Sequence, residues 1–265
     1  MRGSFIALIA VASATAFCAC ASYMETAVGA LPPAGDRIIV SSFEAGNATV
    51  HLIRTREGAV LVDTGWPGHE KKILEEISRI GVPLELIFIT HAHIDHYGNA
   101  AAIRAATGAP IAIHVADADD MSNGRTLLPE ARSWGIFGKA FLPIAERLNP
   151  PPPTVPDTLV SDGSILQAGG LQMRVLHVPG HTVGSCCLVV DSGTDGAGPL
   201  VFAGDLVASK PYLMAQRYFA SDFSQIPSGM ETLKALSPSK VFPGHGMPFP
   251  GERLDELRPR YGVPQ

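Results

Sequence analysis

The chain has 265 residues, of which 46% are hydrophobic and 17% are charged, and its formal net charge is −5. This length is enough for one domain with a full hydrophobic core. Because the sequence has no basic tract, it lacks the charge pattern of proteins that bind phosphate backbones, and we expect no nucleic-acid partner.

The first segment, residues 1–21, has the layout of a secretory signal peptide. One arginine precedes an apolar run from Phe5, and the segment ends in Ala19-Cys20-Ala21, which fits the small-x-small cleavage rule. The stretch FCAC also resembles a bacterial lipobox, in which Cys20 would carry the lipid of a lipoprotein. The apolar run is short for a spanning helix, which needs ~20 residues. We therefore expect an extracytoplasmic protein, periplasmic or secreted, with membrane contact only through this leader or a lipid.

Residues 22–36 are small, rich in proline and glycine, and aperiodic, so we expect a tether that leads into a domain covering residues 37–265. In that domain, short β-branched runs predict strands at RIIVSSF, ATVHLIRT, AVLVDTG, LELIFIT, PIAIHV, LQMRVLHV, SCCLVVD and PLVFAGD. Apolar residues at helical spacing predict helices at GHEKKILEEISRIG, HYGNAAAIRAATG and SGMETLKALS. This order of elements suits two sheets packed face to face with helices outside.

A segment of different character interrupts the strands at about residues 116–160. It carries Trp134, Phe137 and Phe141 at irregular spacing, followed by four prolines from Pro150. Proline disfavours helix interiors and central strands. We therefore expect a helical or loop insertion that crosses the surface.

Three histidines and an aspartate stand within six residues in HAHIDH, directly after an apolar strand. His91 and His93 are two residues apart, so at a strand end they point to the same side. Asp95 and His96 follow where the next helix begins. Three imidazoles and a carboxylate suit a divalent metal such as zinc, iron or manganese.

Three later segments place further ligand types after apolar strands. His181 and His245 each lie in a Pro-Gly turn, and Asp205 ends the strand in LVFAGD. Functional sites are commonly built from loops on a rigid sheet. We expect these three side chains to meet the histidine cluster at one metal site.

Together these motifs resemble the metallo-β-lactamase superfamily. HAHIDH, PGHTVGS, AGD and PGHG stand in the family's order over roughly residues 38–250. The resemblance implies an α+β fold, the four-layer αββα sandwich, with the site at one edge of its two sheets. It also implies a ligand set: His91, His93 and His181 for the first metal, Asp95, His96 and His245 for the second, and Asp205 bridging both. Asp63, in LVDTG, would support the metal loops without binding metal.

The expected cofactor is a pair of zinc ions, with iron or manganese as alternatives. Two divalent ions roughly 3.5–4 Å apart can share one water, lower its pKa to about 7 and polarise a carbonyl oxygen. We therefore expect a hydrolase that uses metal-bound hydroxide on a small-molecule lactone, ester or thioester. Asp95 or Asp205 could pass the proton to the leaving group.

Asp205 stands where the β-lactamases of the superfamily mostly have Cys or Ser, so the resemblance favours the thioester hydrolase and lactonase branches over β-lactam hydrolysis. A rival is a persulfide dioxygenase with one iron at the first site. Another is a binding protein without catalysis, against which the complete ligand set argues.

Other polar and aromatic residues receive weaker assignments. We expect His51, His114 and His177 to be core or edge residues of strands, and Cys186 and Cys187 to be small core residues. The insertion aromatics either cover the substrate pocket or fix the insertion to the sandwich. Four residues after Asp205 are candidates for holding a substrate carboxylate or oxyanion, with a solvated loop as the alternative: Lys210, Tyr212, Arg217 and Tyr218.

Overall fold

A computed structural model describes residues 23–31, 36–148, 150–191 and 198–257. The predicted leader, residues 1–21, lies outside the described residues. Among the helices in these ranges, none is both long enough and apolar enough to cross a membrane.

The described ranges contain both strands and helices in alternation. The strands are β1 (Tyr23–Leu31), β2 (Asp36–Ala45), β3 (Ala48–Arg54), β4 (Ala59–Val62), β5 (Leu84–Ile89), β6 (Ile111–His114), β7 (Glu130–Ala131), β8 (Thr158–Val160), β9 (Ile165–Ala168), β10 (Leu171–His177), β11 (Cys186–Val190), β12 (Leu200–Ala208), β13 (Met214–Ala215), β14 (Phe219–Ala220), β15 (Lys240–His245) and β16 (Phe249–Pro250). The α-helices are α1 (Glu70–Ile80), α2 (Ile94–Tyr97), α3 (Ala100–Thr107), α4 (Ala118–Ser122), α5 (Gly135–Leu148) and α6 (Ile226–Ala235). Short 3₁₀ helices cover Val115–Asp117 and Gly251–Glu256.

The strands form two large sheets. The first has the order β1-β2-β3-β4-β5-β6-β8, and the second has the order β16-β15-β12-β11-β10-β9 with β13 added on β12. In the first sheet β4, β5, β6 and β8 run parallel, and in the second β12 and β15 are parallel. Parallel neighbours bring their C-terminal ends to the same edge, which gathers the loops that follow them.

One hydrophobic core lies between the sheets and one on each outer face. Phe88 of the first sheet packs in the central core with Phe202 and Phe242 of the second, and the last two rings stack with centroids 4.4 Å apart. Helices α1 and α3 cover the outer face of the first sheet, and α6 covers that of the second. The layers are therefore helix, sheet, sheet, helix, which confirms the predicted αββα sandwich.

Strand β11 shows why the sequences of the central strands are continuous apolar runs. Cys186, Leu188 and Val190 face the central core, whereas Cys187 and Val189 face the outer core under α6. Side chains alternate along a strand, and both faces of this sheet are covered, so every position is apolar. Both cysteines are buried free thiols, as predicted.

The tether predicted for residues 22–36 is wrong where the chain is described. The backbone of Tyr23–Leu31 forms β1 and pairs antiparallel with β2, in a register that joins Tyr23 to Phe43 and Leu31 to Asp36. Pairing at a sheet edge is made by backbone hydrogen bonds. This segment can therefore add a strand although its sequence shows no clear apolar alternation.

The predicted insertion at residues 116–160 is helical in part, but it also contributes a strand to the first sheet. It contains α4, β7 and α5, with Pro143 inside α5. Its last residues form β8, which pairs parallel with β6 and so belongs to the first sheet. The proline run that follows α5 is outside regular structure, as expected.

We predict that Phe202→Ala lowers the free energy of unfolding by about 3–5 kcal/mol, because it opens a cavity at the centre of the sandwich. Ile165→Ala is the control, since Ile165 is 49% exposed on β9; it should cost less than about 1 kcal/mol. Urea denaturation measures both. Equal losses would contradict the central position of Phe202.

Candidate metal centre

The structure brings all seven predicted ligand side chains together at one edge of the sandwich. His91 and His93 follow β5, Asp95 and His96 lie on α2, His181 follows β10, Asp205 lies on β12 and His245 ends β15. Three overlapping groups have ligand atoms within 4.8 Å of one another: His91, His93 and His181; His91, His96 and Asp205; Asp95, His96 and His245. The first and third groups have the compositions that the resemblance implied for the two metals.

The Asp205 carboxylate lies between the first and third groups. Its Oδ2 is 3.3 Å from His181 Nε2 and 3.2 Å from His245 Nε2. Its Oδ1 is 3.3 Å from His96 Nε2. One carboxylate therefore contacts imidazoles of both groups, which is the position a bridging ligand requires.

Glycine at position 244 makes room for this carboxylate. A Cβ on Gly244 would lie 2.2 Å from Asp205 Oδ1 and 2.9 Å from His96 Cε1. Any larger residue in the PGHG turn would therefore displace two predicted ligands.

Every imidazole of the cluster has one ring nitrogen held by an oxygen outside it. These bonds run from His91 Nδ1 to Thr90 Oγ1 (3.0 Å), His93 Nε2 to Leu127 O (3.0 Å), His96 Nδ1 to Asp63 Oδ2 (2.8 Å), His181 Nδ1 to Phe219 O (2.9 Å) and His245 Nδ1 to Asn47 O (2.8 Å). Carbonyl and carboxylate oxygens only accept, so these nitrogens carry the proton. Thr90 Oγ1 also accepts, because its own hydrogen goes to Asp63 Oδ2 at 2.9 Å.

In the neutral form of each ring, the opposite nitrogen carries a lone pair that is directed into the cluster. His91 Nε2 and His181 Nε2 lie 3.1 Å apart, and His96 Nε2 and Asp205 Oδ1 are buried without a hydrogen-bond partner. Uncompensated buried lone pairs are costly, and a cation would satisfy them together. A donor set of imidazole nitrogens and carboxylate oxygens fits divalent zinc, iron or manganese.

The two halves of the cluster have opposite proton affinities. Desolvation, with the neighbouring imidazoles adding to it, lowers the pKa of His91 well below its usual value and that of His181 to about 3. Desolvation also acts on His245, but the carboxylates of Asp205 and Asp95 outweigh it and raise the pKa of His245 to about 9. Without metal, protons therefore occupy the His245 side of the cluster, and metal binding must displace them.

Asp63 has the supporting position that the resemblance implied. Its Oδ1 accepts from Thr90 N at 2.8 Å, and its Oδ2 accepts from Thr90 Oγ1 and His96 Nδ1. Its backbone has a φ of +61°, a left-handed conformation that is uncommon for residues other than glycine and that turns the chain sharply after β4. Asp63 thus fixes the strand exit and the orientation of His96 together.

Asp117 is a supporting residue that the sequence did not reveal. Its carboxylate accepts hydrogen bonds from Ala92 N (2.8 Å), Thr182 Oγ1 (2.7 Å) and Gly184 N (2.6 Å). It therefore joins the loop of His91 and His93 to the loop of His181. The available signal is its position just after β6, another strand exit, although the predicted insertion at about residues 116–160 includes it.

Asn47, in the β2–β3 turn, also escaped prediction. Its side-chain amide donates to Asp95 Oδ2 at 3.0 Å, and its backbone carbonyl accepts from His245 Nδ1. In the sequence, Gly46-Asn47 indicates only a turn, because the residues that Asn47 contacts, Asp95 and His245, are about 50 and 200 positions away.

His51, His114 and His177 occupy strands, as predicted. His51 is buried on β3, where Ser42 Oγ lies 2.8 Å from its Nδ1 and Pro243 O lies 3.0 Å from its Nε2. His114 on β6 and His177 on β10 stack with ring centroids 4.1 Å apart.

A cavity of about 770 Å³ opens onto the cluster. Of the insertion aromatics, Phe141 lines it, whereas Trp134 and Phe137 do not and are largely exposed. Of the four candidates after Asp205, Lys210 and Tyr218 line the cavity. The volume is within the range of small-molecule sites, roughly 300–1,000 Å³.

Comparisons with known proteins identify relatives of this chain. The family model of the metallo-beta-lactamase superfamily matches residues 44–245. Hydroxyacylglutathione hydrolase of Albidiferax ferrireducens is 30% identical over 187 residues, which cover 71% of this chain and 57% of that protein. Acyl-coenzyme A thioesterase MBLAC2 of Homo sapiens is 28% identical over 245 residues, covering 83% of this chain and 80% of that protein.

Solved structures show the same fold. Rm3 metallo-beta-lactamase has a TM-score of 0.61 at 22% identity and covers 85% of this chain and 79% of its own. A metallo-beta-lactamase of Cronobacter sakazakii with a HARLDQ motif has a TM-score of 0.61 at 24% identity, covering 84% of this chain and 78% of its own. At these identities the likeness concerns architecture alone.

We predict that Asp117→Asn weakens metal binding about 10–100-fold, because an amide cannot accept from all three donors and the two histidine loops separate. Asp119→Asn is the matched control, since its side chain is 79% exposed two residues away. Competition with a chelator measures the affinity of each variant. Equal affinities in both variants would remove Asp117 from the support of the site.

Proposed function

The chain belongs to the metallo-β-lactamase superfamily, and from this premise we propose that it is a metal-dependent hydrolase of activated acyl bonds in small molecules. Thioesters and esters are the leading substrates, with lactones as a further class. The observation that carries the proposal is the convergence of five imidazoles and two carboxylates in one cluster beside a cavity, which His93, His181, His245, Asp95 and Asp205 line.

The proposed cofactor is two zinc ions per chain, for which iron or manganese could substitute. His91, His93 and His181 would hold one ion; Asp95, His96 and His245 would hold the other; Asp205 would bind both. Bound divalent ions supply acidification of water and polarisation of a carbonyl oxygen. The orphaned His96 Nε2 and Asp205 Oδ1 support a cation at this point of the cluster.

In the proposed reaction, water adds to the acyl carbon, the C–S or C–O bond breaks, and an acid and a thiol or alcohol leave. Asp95 is better placed than Asp205 to move the proton to the leaving group. Both carboxylates line the cavity, but three imidazole nitrogens face the oxygens of Asp205 within 3.3 Å. Asp95 is instead oriented by the amide of Asn47 at 3.0 Å.

Two observations favour thioesters over β-lactams. By the family resemblance, Asp205 stands where β-lactamases mostly have Cys or Ser. The relatives compared above, at 30% and 28% identity, are named hydroxyacylglutathione hydrolase and acyl-coenzyme A thioesterase. The chain spans 57% of the first of these and 80% of the second, so the second supports the proposal over more of its length. The leader pattern of residues 1–21 supports a proposed extracytoplasmic location.

We predict that protein loaded with two metal ions per chain hydrolyses an acyl thioester and aryl esters faster than a cephalosporin. Metal content measured by elemental analysis and initial rates on the panel test this together, and removal of metal by a chelator should abolish turnover. One iron per chain with sulfur-dependent oxygen uptake would instead favour the dioxygenase. Full metal content without turnover on any acyl substrate would overturn the proposal.

We predict that Asp95→Asn lowers kcat at least about 100-fold, since general acid–base catalysis contributes typically 10²–10⁴-fold. Elemental analysis must accompany the rates, because Asp95 is also a proposed ligand. Asp119→Asn, whose carboxylate is 79% exposed and outside the cluster, is the control and should leave kcat unchanged. If Asp95→Asn keeps both its metal and its rate, the proton-transfer role is wrong.

A further inference from the structure

The cavity has an apolar side that the proposed chemistry does not use. We call it the apolar wall and define it by five residues: Leu128, Phe141, Leu142, Met214 and Phe219. The first three come from the insertion, and the last two come from the segment that follows β12. The wall faces the same space as the metal cluster.

Two glycines seat helix α5 closely on the segment that carries Phe219. A Cβ on Gly138 would lie 2.7 Å from the Phe219 ring, and a Cβ on Gly135 would lie 2.3 Å from Tyr218 O. Strand β7 of the insertion also pairs with β14, which joins Ala131 to Phe219. The apolar wall is therefore a packed structure and not a chance meeting of loops.

The apolar wall is continuous with the metal cluster. The carbonyl of Phe219 accepts the hydrogen bond from His181 Nδ1, at 2.9 Å. The insertion reaches the cluster as well, because Leu127 O, next to Leu128, accepts from His93 Nε2 at 3.0 Å. A group bound against the wall would thus lie directly beside the reacting centre.

Three polar side chains on the rest of the cavity surface, Lys210, Gln216 and Thr126, are already engaged within the protein. Lys210 Nζ and Glu44 Oε1 form an ion pair at 2.6 Å. Gln216 Oε1 accepts from three backbone N–H groups, and its Nε2 donates to Asp205 O at 3.2 Å. Thr126 Oγ1 accepts from Ile94 N at 3.1 Å. Polar groups of a substrate would have to compete with these bonds, whereas a hydrocarbon would not.

We propose that the apolar wall binds the hydrocarbon chain of the acyl group, so that the substrates carry a linear apolar acyl chain and not a compact polar one. Met214, Leu142 and Phe141 are the residues that set this specificity. The inference rests on the proposed function, because it assigns the acyl half of the substrate of the same site.

Phe141 supports this assignment by its position at the mouth. It lines the cavity yet is 64% exposed, so its ring presents apolar surface both to the cavity and to solvent. A chain lying along the wall would cover the cavity side of this ring. Because burial of apolar surface stabilises the complex in proportion to area, longer chains should bind more tightly until the wall is filled.

The test is a series of 4-nitrophenyl esters from acetate to octanoate, which share one leaving group and differ only in acyl length. For the full chain with metal bound, kcat/KM should rise about fourfold for each methylene that reaches the wall. Met214→Gln, nearly the same size but polar, should lower the octanoate-to-acetate ratio about tenfold. Leu148→Gln is the matched control, because Leu148 is 81% exposed on α5 and outside the cavity.

A second measurement separates failure of this inference from failure of the proposed function. Binding of 1-butanol to 1-octanol is followed by calorimetry, with no turnover needed, and affinity should rise with length in the wild type and Leu148→Gln but not in Met214→Gln. A flat series in both experiments would overturn the apolar wall as an acyl site. Rising alcohol affinity without hydrolysis of any ester or thioester would keep the wall and refute the hydrolase.

Discussion

The crowding of five imidazoles and two carboxylates into one cluster is the constraint on which this site depends. Four buried histidines and a fifth at the rim each direct one ring nitrogen into the cluster, and the Asp205 oxygens lie 3.2–3.3 Å from three of these nitrogens. Such an arrangement is held only if the surrounding structure is rigid and a cation or protons balance the charge. The three hydrophobic cores supply that rigidity, since they fix the strands whose ends carry the ligands.

The oxygens outside the cluster are as important as the ligands themselves. A carboxylate, a hydroxyl and three backbone carbonyls decide which nitrogen of each imidazole carries the proton. Asp63 and Asp117 extend this control, because each joins two segments that are far apart in the chain. Orientation of metal-binding histidines by such partners commonly governs affinity as strongly as the ligands do.

The sequence predicted the sandwich and the meeting of the four strand-exit motifs because both depend on strong local signals. Apolar runs such as that of β11 mark strands covered on two faces, and the motif order indicated the family.

Other features of the structure lack such signals in the sequence. Strand β1 has no clear apolar alternation and is held by backbone pairing, and β7 and β14 have two residues each, too few for periodicity. Asn47 and Asp117 act through partners that are distant in sequence, so only the folded chain shows their roles.

The position of helix α5 has a consequence for how this protein can be changed. No described side chain of α5 belongs to any of the three hydrophobic cores, although the helix forms part of the cavity surface. Substitutions of Phe141 and Leu142, which line the cavity, should alter what it accepts at little cost in folding stability, whereas Gly135 and Gly138 must stay small to fit the segment they pack against. Selectivity can therefore be re-engineered through two side chains of one helix while the residues of the cluster, and with them the reactivity, stay unchanged.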